Sequence, residues 1–456
     1  MESLRASLRA DWPLLSAAAA LIAFIAPGCG SATPQKPSIL VVVISSLRSD
    51  HVSAYGYARA TTPTIDGLAS EGVLYATALT PTPWPLAAHA SILSGRYISE
   101  HGVTFASPRL GEGLDTVAEH MKEEGYATVA VVTDSSLSKE NGFGQGFDEF
   151  VEIRPEESGA PDDGAAAAEE EAIKRLLVHA ASGTPFFAYV VLKNPALPWN
   201  PPEEFRERFL ERKVVLPELD RLSQLWIPFA RQYTMGLVTM PSQELETMVS
   251  LYDGEIAYAD YRLGRILDAL EKDGHAENLA VFVTSDAGED LGEHGLIADP
   301  SSLFDTIIRV PLVARWPGRI PRATRITEQV VTIDLPAAVL AIARRDPADA
   351  SPPELFRNRP VAICEAPHDP AAIRYFRSLR PEEDPSIFER NLLAVRTPQH
   401  KFVVTSLGTA ALFDLAADPH ERASVLETET DKAAELNAHL GSWVAGLRGA
   451  APAASR

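Results

Sequence analysis

Cysteine is scarce in this sequence, with only Cys29 and Cys364 among 456 residues. Two cysteines are too few for a disulfide-rich scaffold or for a structural zinc site built from thiolates. The stability of the chain must therefore come from a buried apolar core. With 46% hydrophobic and 23% charged residues, the composition is that of a globular protein.

Positive charge is also scarce. The chain has 41 Lys and Arg against 62 Asp and Glu, which gives a formal net charge of −21 at pH 7. No segment concentrates basic residues, so the sequence lacks the electrostatic footprint of a nucleic-acid-binding protein. We predict no nucleic-acid partner, and an acidic surface that favours solubility and repels polyanions.

The N-terminal apolar run, residues 12–27, is short for a membrane span. It follows Arg5 and Arg9 and has the length of the apolar region of a signal peptide. The run ends in small residues before Cys29, which is similar to a bacterial lipobox, although Ala26 stands where that pattern prefers Leu.

This N-terminal pattern predicts a signal peptide over residues 1–28, lipidation of Cys29 and a tether over residues 29–37. The mature protein would then be an exported, membrane-anchored lipoprotein of the bacterial cell envelope. Cys29 would attach it to the membrane, and Cys364 would have no cysteine left to pair with. An ordinary signal peptide or an uncleaved anchor is the alternative reading of the same residues.

Strand and helix patterns alternate through the rest of the chain. Apolar runs typical of strands buried on both faces of a parallel sheet occur at residues 37–44, 127–133, 185–192 and 279–285. Helical patterns occur at residues 64–71, 114–125 and 248–272. This alternation predicts an α/β fold with a doubly wound, mostly parallel sheet. The site is then expected at the carboxyl ends of the strands, after Ile44, Leu192 and Ser285.

The pattern also predicts how the chain is divided. The α/β domain is expected over residues 38–390, with a helical insertion near the site at about residues 201–247. From residue 391 the pattern changes to short strands followed by an amphipathic helix. We therefore predict a smaller C-terminal α+β subdomain over residues 391–456.

Several motifs together resemble one family, the sulfatases of the alkaline phosphatase superfamily. The matching segments, in the family's order, are 45–57 (SSLRSDHVSAYGY), 61–73 (TTPTIDGLASEGV), 84–97 (WPLAAHASILSGRY), 141–150 (NGFGQGFDEF), 251–260 (LYDGEIAYAD), 284–296 (TSDAGEDLGEHGL), 309–313 (RVPLV) and 412–421 (LFDLAADPHE). The resemblance covers nearly the whole mature chain. It implies the sulfatase fold, in which a smaller C-terminal domain packs on a large α/β domain.

The resemblance also implies a nucleophile. In the family a Cys or Ser within Cys/Ser-x-Pro-x-Arg is oxidised to formylglycine, and the hydrated aldehyde attacks sulfur. Here Trp84 and His89 set the register of that motif, so Pro85 takes the nucleophile position and His89 takes the position of the Arg. Proline has no side-chain heteroatom and cannot become formylglycine.

The family's divalent cation, usually Ca²⁺, polarises the sulfate oxygens and needs charged oxygen ligands. Ser45 and Ser46 stand where the family's first strand ends in Asp. Asp286 keeps a ligand position, but Ala287 stands where the family has His or Asn. One carboxylate and two hydroxyls are too few for this cation, so we predict no metal and no cofactor.

The sulfate contacts differ as well. Ala196 stands at the position of a sulfate-binding His, and Asp299 lies near that of a Lys or His. Because nucleophile, metal ligands and sulfate contacts are all altered, we predict a pseudoenzyme that lacks sulfuric ester hydrolase activity and has no catalytic residues. It would have a binding or regulatory role at the cell envelope. Its predicted partner is a sulfated or phosphorylated glycan or an active relative.

The alternative is an active hydrolase of sulfuric or phosphoric esters with a rebuilt metal site. That site would use Asp286, His89 and His294, and Ca²⁺ would be its cofactor. The metal content of the purified protein distinguishes the two hypotheses.

A few further residues have two interpretations each. Trp84 and Trp199 are expected near the pocket, where they form a surface for carbohydrate stacking or pack in the core. Arg48 is expected to make a structural ion pair. An acidic cluster with one imidazole could bind another metal or could be part of the family's scaffold; its members are Glu289, Asp290, Glu293 and His294.

Overall fold

The computed structural model describes residues 35–154, 164–210, 221–223, 227–298, 300–345, 354–386 and 388–450. The predicted signal peptide, Cys29 and most of the predicted tether lie outside these residues, and so does Asp299. Within the described ranges, no helix is both long enough and apolar enough to cross a membrane.

The secondary structure alternates as the sequence predicts. The strands are β1 (Ser38–Ile44), β2 (Val73–Leu79), β3 (Ala127–Val132), β4 (Glu149–Glu152), β5 (Phe186–Leu192), β6 (Leu279–Thr284), β7 (Arg309–Val310), β8 (Leu312–Arg315), β9 (Thr324–Val331), β10 (Ala362–Ala366), β11 (Leu392–Arg396), β12 (His400–Thr405) and β13 (Ala410–Asp414). The α-helices are α1 (Pro63–Glu71), α2 (Pro85–Ser94), α3 (Ile98–His101), α4 (Val117–Glu123), α5 (Ala165–Ser182), α6 (Glu203–Arg206), α7 (Ile227–Thr234), α8 (Ser242–Lys272), α9 (Asp305–Ile308), α10 (Leu335–Ala343), α11 (Pro370–Leu379) and α12 (Thr430–Ala450).

The central sheet has the strand order β4-β3-β5-β1-β6-β8-β2-β7, and β9 also pairs with β2. Strands β4, β3, β5, β1 and β6 are parallel, whereas β8 is antiparallel to both β6 and β2. The four predicted strands are confirmed as β1, β3, β5 and β6. Since β5, β1 and β6 are neighbours, their carboxyl ends meet at one edge of the sheet.

Strand β1 is buried on both faces, as its apolar run predicts. Val41 packs in the core on one side of the sheet and Val42 in the core on the other side. Successive side chains of a strand point to opposite faces, and each buried Val or Ile contributes about 1.5–3 kcal/mol relative to exposure. The strand is therefore anchored on both faces up to the edge where the site is expected.

The second sheet is antiparallel, in the order β10-β11-β12-β13, and α12 packs against it. The strands and the helix predicted after residue 391 are confirmed as β11, β12 and α12. The structure differs in the boundary, because β10 belongs to this sheet but precedes residue 391. Arg396 and Lys401 of this sheet both donate hydrogen bonds to Asp305 at the start of α9.

The predicted insertion at about residues 201–247 is helical where it is described, in α6, α7 and the first turns of α8. Phe205 and Phe209 are buried against Tyr258 of α8. Arg231 of α7 reaches the edge of the central sheet where the predicted site positions lie.

Candidate functional site

A cleft of about 300 Å³ lies beyond the carboxyl ends of β1, β5 and β6, at the start of α2. Four of the predicted site positions line it, namely Ser46, Pro85, Ala196 and Ala287. Ser45, His89 and Asp286 are buried beneath the cleft. The structure therefore brings together all of the predicted site positions that it describes.

Helix α2 begins at Pro85, which lines the cleft. Proline is favoured at the first helical position because its φ is already helical and the missing N–H would have no partner within the helix. Trp84 precedes it in an extended conformation as the N-cap residue. The ring of Pro85 thus stabilises the start of α2 and presents only carbon atoms from its side chain to the cleft.

Asp286 follows β6 and is fully buried. Its Oδ1 accepts hydrogen bonds from the amides of Ser46 (2.9 Å) and Ala287 (2.6 Å), so it fixes the loop after β1 and caps its own turn. Its Oδ2 lies 3.2 Å from Nε2 of His89. Burial alone would raise the pKa of Asp286, but the contacts with His89 and Ser46 outweigh burial and lower it.

His89 lies on α2 between Asp286 and a tyrosine of β5. Its Nδ1 is 2.6 Å from the hydroxyl of Tyr189. Burial, and then Asp286, raise the pKa of Tyr189 well above its ordinary value, so this hydroxyl keeps its proton and can donate it to Nδ1. A neutral imidazole with its proton on Nε2 accepts this bond at Nδ1 and directs its N–H toward Oδ2 of Asp286, although that contact is not a well-aligned hydrogen bond. We assign this tautomer from the hydrogen-bond network.

The loop after β1 is held by buried side chains. Ser46 has a φ of 58°, in the left-handed region. The hydroxyl of Tyr252 donates to the carbonyl of Ser46 (2.6 Å) and accepts from the amide of Arg48 (3.0 Å). Together with the bond from Ser46 to Asp286, these contacts fix the loop at the floor of the cleft.

The residues at this floor do not suit Ca²⁺. Ser45 Oγ, His89 Nε2 and Asp286 Oδ2 are buried and have no well-aligned hydrogen bond among the described residues. They supply one carboxylate oxygen, one hydroxyl and one nitrogen, whereas Ca²⁺ takes about six to eight oxygens. Among the described residues, the acidic and imidazole groups near the cleft form no cluster of three with ligand atoms within 4.8 Å of one another.

The acidic cluster that follows Asp286 is dispersed over separate structural contacts. Glu293 pairs with Arg48 at 2.8 Å, as expected of Arg48. Asp290 accepts hydrogen bonds from the hydroxyls of Ser302 and Thr306. The ring of His294 stacks on Phe304 at 3.6 Å. Glu289 lines the cleft, and burial followed by the charge of Asp290 raises its pKa well above its ordinary value.

The walls of the cleft combine aromatic rings with one ion pair. Trp84 and Phe105 stack with their ring centroids 4.0 Å apart. Arg231 pairs with Asp369 at 2.5 Å, and both line the cleft. Trp199 instead lies fully in the core, where its indole N–H donates to the Pro195 carbonyl, so of its two interpretations core packing is the one observed.

Four side chains of this site were absent from the sequence-based prediction. These are Tyr189, Tyr252, Phe105 and Arg231. Tyr189 could have been identified from the sequence, since it is the only residue with a hydroxyl in the apolar strand β5. The others lie on elements that are distant in sequence, and only the tertiary fold brings them to the cleft.

Comparisons with known proteins agree with this geometry. Residues 37–344 match the family model described as Sulfatase, and residues 292–448 match that of the C-terminal region of N-sulphoglucosamine sulphohydrolase. The uncharacterized sulfatase YidJ of Escherichia coli is 24% identical over 433 residues, which cover 86% of this chain and 84% of that protein. An N-acetylglucosamine-6-O-sulfatase of Bacteroides thetaiotaomicron is 22% identical, with 86% and 83% covered.

A solved structure shows the same fold. The phosphonate monoester hydrolase of Agrobacterium radiobacter superposes with a TM-score of 0.70 at 21% identity, over 91% of this chain and 96% of that one. Since the Sulfatase family model spans well over half of the sequence, this chain belongs to the sulfatase family.

Proposed function

We propose that this member of the sulfatase family does not hydrolyse sulfate esters and acts as a binding or regulatory protein through its cleft. Pro85 is the observation that carries the proposal. It lines the cleft at the first position of α2, where the family resemblance places the nucleophile. A pyrrolidine side chain contains no oxygen or sulfur that could attack an ester.

The electrostatics of the cleft support the same conclusion. Asp286 is the only carboxylate among the family's ligand positions, and the amides of Ser46 and Ala287 already use one of its oxygens. Without a cation, an ionised Asp286 beneath the cleft disfavours the approach of a sulfate dianion or monoanion. At the family positions that the structure describes, Pro85 offers no nucleophile, and Asp286 is the single carboxylate left to hold a cation.

The alternative, a hydrolase with a rebuilt metal site, has less support. It would need His294 together with His89 and Asp286. The ring of His294 instead stacks on Phe304, and the three side chains do not form a cluster with ligand atoms within 4.8 Å. This alternative predicts metal-dependent turnover of sulfate or phosphate esters.

The cleft suits a carbohydrate ligand. The stacked rings of Trp84 and Phe105 provide an apolar face of the kind that packs against sugar rings. Arg231, although paired with Asp369, is positioned to contact a sulfate or phosphate substituent at the rim. The relative named N-acetylglucosamine-6-O-sulfatase makes a glycan a natural ligand class, and an active relative is the other candidate partner.

We also propose that the protein is exported and held at the bacterial cell envelope by a lipid on Cys29. Arg5, Arg9, the short apolar run and the small residues before Cys29 support this location. A binding protein held at the membrane could present its cleft to glycans outside the cell.

Activity is tested with aryl sulfate and aryl phosphate esters, with and without added Ca²⁺. We expect background rates for the native chain and for Pro85→Cys, because the cysteine would have neither the neighbouring motif residues nor a metal. Metal-dependent turnover that disappears in Asp286→Ala would overturn the proposal. The metal content of the native chain is also compared with that of the Asp286→Ala variant. Only metal that is absent from the variant belongs to the cleft.

Ligand binding is tested by NMR or calorimetry with a sulfated disaccharide and its desulfated form. Phe105→Ala is expected to weaken binding, whereas Tyr261→Ala, which removes an exposed aromatic ring on α8, should leave it unchanged. Equal affinity in both variants would contradict a role of the cleft in carbohydrate binding.

A further inference from the structure

Three side chains in the C-terminal subdomain converge far from one another in sequence. They are His400 at the start of β12, Asp414 at the end of β13 and Glu429 just before α12. Each offers one ligand atom, and these three atoms all lie within 4.8 Å of one another. We propose that they form a binding site for a divalent transition-metal ion of the Zn²⁺ class.

The backbone holds two of these ligands in register. His400 and Asp414 are directly paired across the antiparallel strands β12 and β13, so their side chains project from the same face of the sheet. The amides of Ala416 and Ala417 donate to Oδ1 of Asp414, which leaves Oδ2 for another partner. Sheet pairing and a turn thus position a nitrogen and an oxygen before any ion binds.

Glu429 completes the set from the helix side. Its Oε2 lies 3.1 Å from Nε2 of His400, close to the separation of about 3.3 Å expected between two ligands of one tetrahedral Zn²⁺. All three residues are partly exposed, so an ion can reach them from solvent. A bound Zn²⁺ would draw the three atoms to metal–ligand distances of about 2.0–2.2 Å.

The local charge favours a cation. Two carboxylates face one imidazole, and the neighbouring lysines are engaged elsewhere. Lys401 points to the opposite face of the sheet, where its Nζ contacts Asp305 and Glu421, and Lys432 pairs with Glu435. One imidazole with two carboxylates is a donor set that suits Zn²⁺ and related ions, whereas Ca²⁺ takes about six to eight oxygens.

The consequence for the protein would be structural. The ion would join the hairpin β12–β13 to the start of α12, which packs on the same sheet. An ion that binds only the folded chain stabilises it by mass action, so the melting temperature should rise with the concentration of Zn²⁺.

The test uses the full chain without a histidine tag, stripped with a chelator and titrated with Zn²⁺ by calorimetry. We expect one ion per chain, weakened at least about tenfold in His400→Ala and in Asp414→Asn. His420→Ala, which removes an exposed histidine of the same subdomain, and Asp286→Ala, in the cleft, should bind as the native chain does. A stoichiometric site in the native chain that both His400→Ala and Asp414→Asn retain, or no binding by the native chain, would overturn the proposal. Circular dichroism of each variant ensures that lost binding is not lost folding.

Discussion

Replacing His89 with Ala tests how the floor of the cleft is stabilised. His89 is fully buried, with Tyr189 on one ring nitrogen and Asp286 on the other. The substitution removes a contact to a buried carboxylate and leaves a cavity under α2. We expect His89→Ala to lower the free energy of unfolding by about 2–4 kcal/mol, because it leaves buried polar partners unsatisfied and opens a cavity.

The interaction free energy between His89 and Asp286 distinguishes a charged imidazole from a neutral one. Two full charges 3.2 Å apart would interact by about 5 kcal/mol at an effective dielectric constant of 20, before desolvation is subtracted. A neutral imidazole that donates toward a carboxylate is worth about 1.5–3 kcal/mol. With the hydroxyl of Tyr189 donating to Nδ1 the imidazole is neutral, and we expect a coupling of about 2 kcal/mol between His89 and Asp286.

The assay is a double-mutant cycle with His89→Ala and Asp286→Asn, measured by urea unfolding. Asn keeps an oxygen for the amides of Ser46 and Ala287, so the cycle isolates the contact with His89. His101→Ala, a buried histidine on α3 that does not contact Asp286, is the matched control and should be additive with Asp286→Asn. A coupling below about 0.5 kcal/mol for His89 would refute the reasoning.

Three further outcomes are expected. The triple variant Ser45→Asp, Ser46→Asp, Ala287→Asn should have a lower melting temperature without metal, because all three positions are buried. Added Ca²⁺ should restore the melting temperature, and no response to Ca²⁺ would mean that the loops do not provide the family geometry. Cys29→Ser should release the protein from the membrane fraction or block its processing, and unchanged fractionation would argue for a plain signal peptide or an anchor. Burial raises the pKa of Glu365 to about 7, so the stability that its protonated form provides is lost as the pH rises through that value. Glu365→Gln should therefore stabilise the chain at pH 8 by about 1 kcal/mol and less at pH 5, by urea unfolding, and an equal gain at both pH values would contradict the shift.

The central strands were predictable because they are buried on both faces. Such strands are continuous apolar runs, as in β1 and β5, and a run of this kind has few alternatives. Strands β7 and β8 were not predicted, since they are short and lie in the antiparallel part of the sheet. Strand β10 was assigned to the first domain because only its pairing with β11 reveals which sheet it joins.

The site positions were predictable because they follow the ends of predicted strands within recognisable motifs. The burial and the contacts of these positions were not predictable. Ser45 and Ala287 are almost fully buried, which their positions after predicted strands do not reveal. Burial depends on which other elements cover a position, and no local sequence pattern records that.

Ser46 shows where the geometry of the cleft floor originates. A serine at a φ of 58° is in a conformation that costs a non-glycine residue free energy, so its neighbours must impose it. Asp286 accepts from its amide and Tyr252 donates to its carbonyl, and both of these side chains are buried. The position of the loop therefore depends on Asp286 and Tyr252 rather than on the side chain of residue 46. Because Asp and Asn tolerate the left-handed region better than most residues, the loop can carry a carboxylate at this position without a change of backbone. The backbone that would position such a carboxylate is already held by Asp286 and Tyr252.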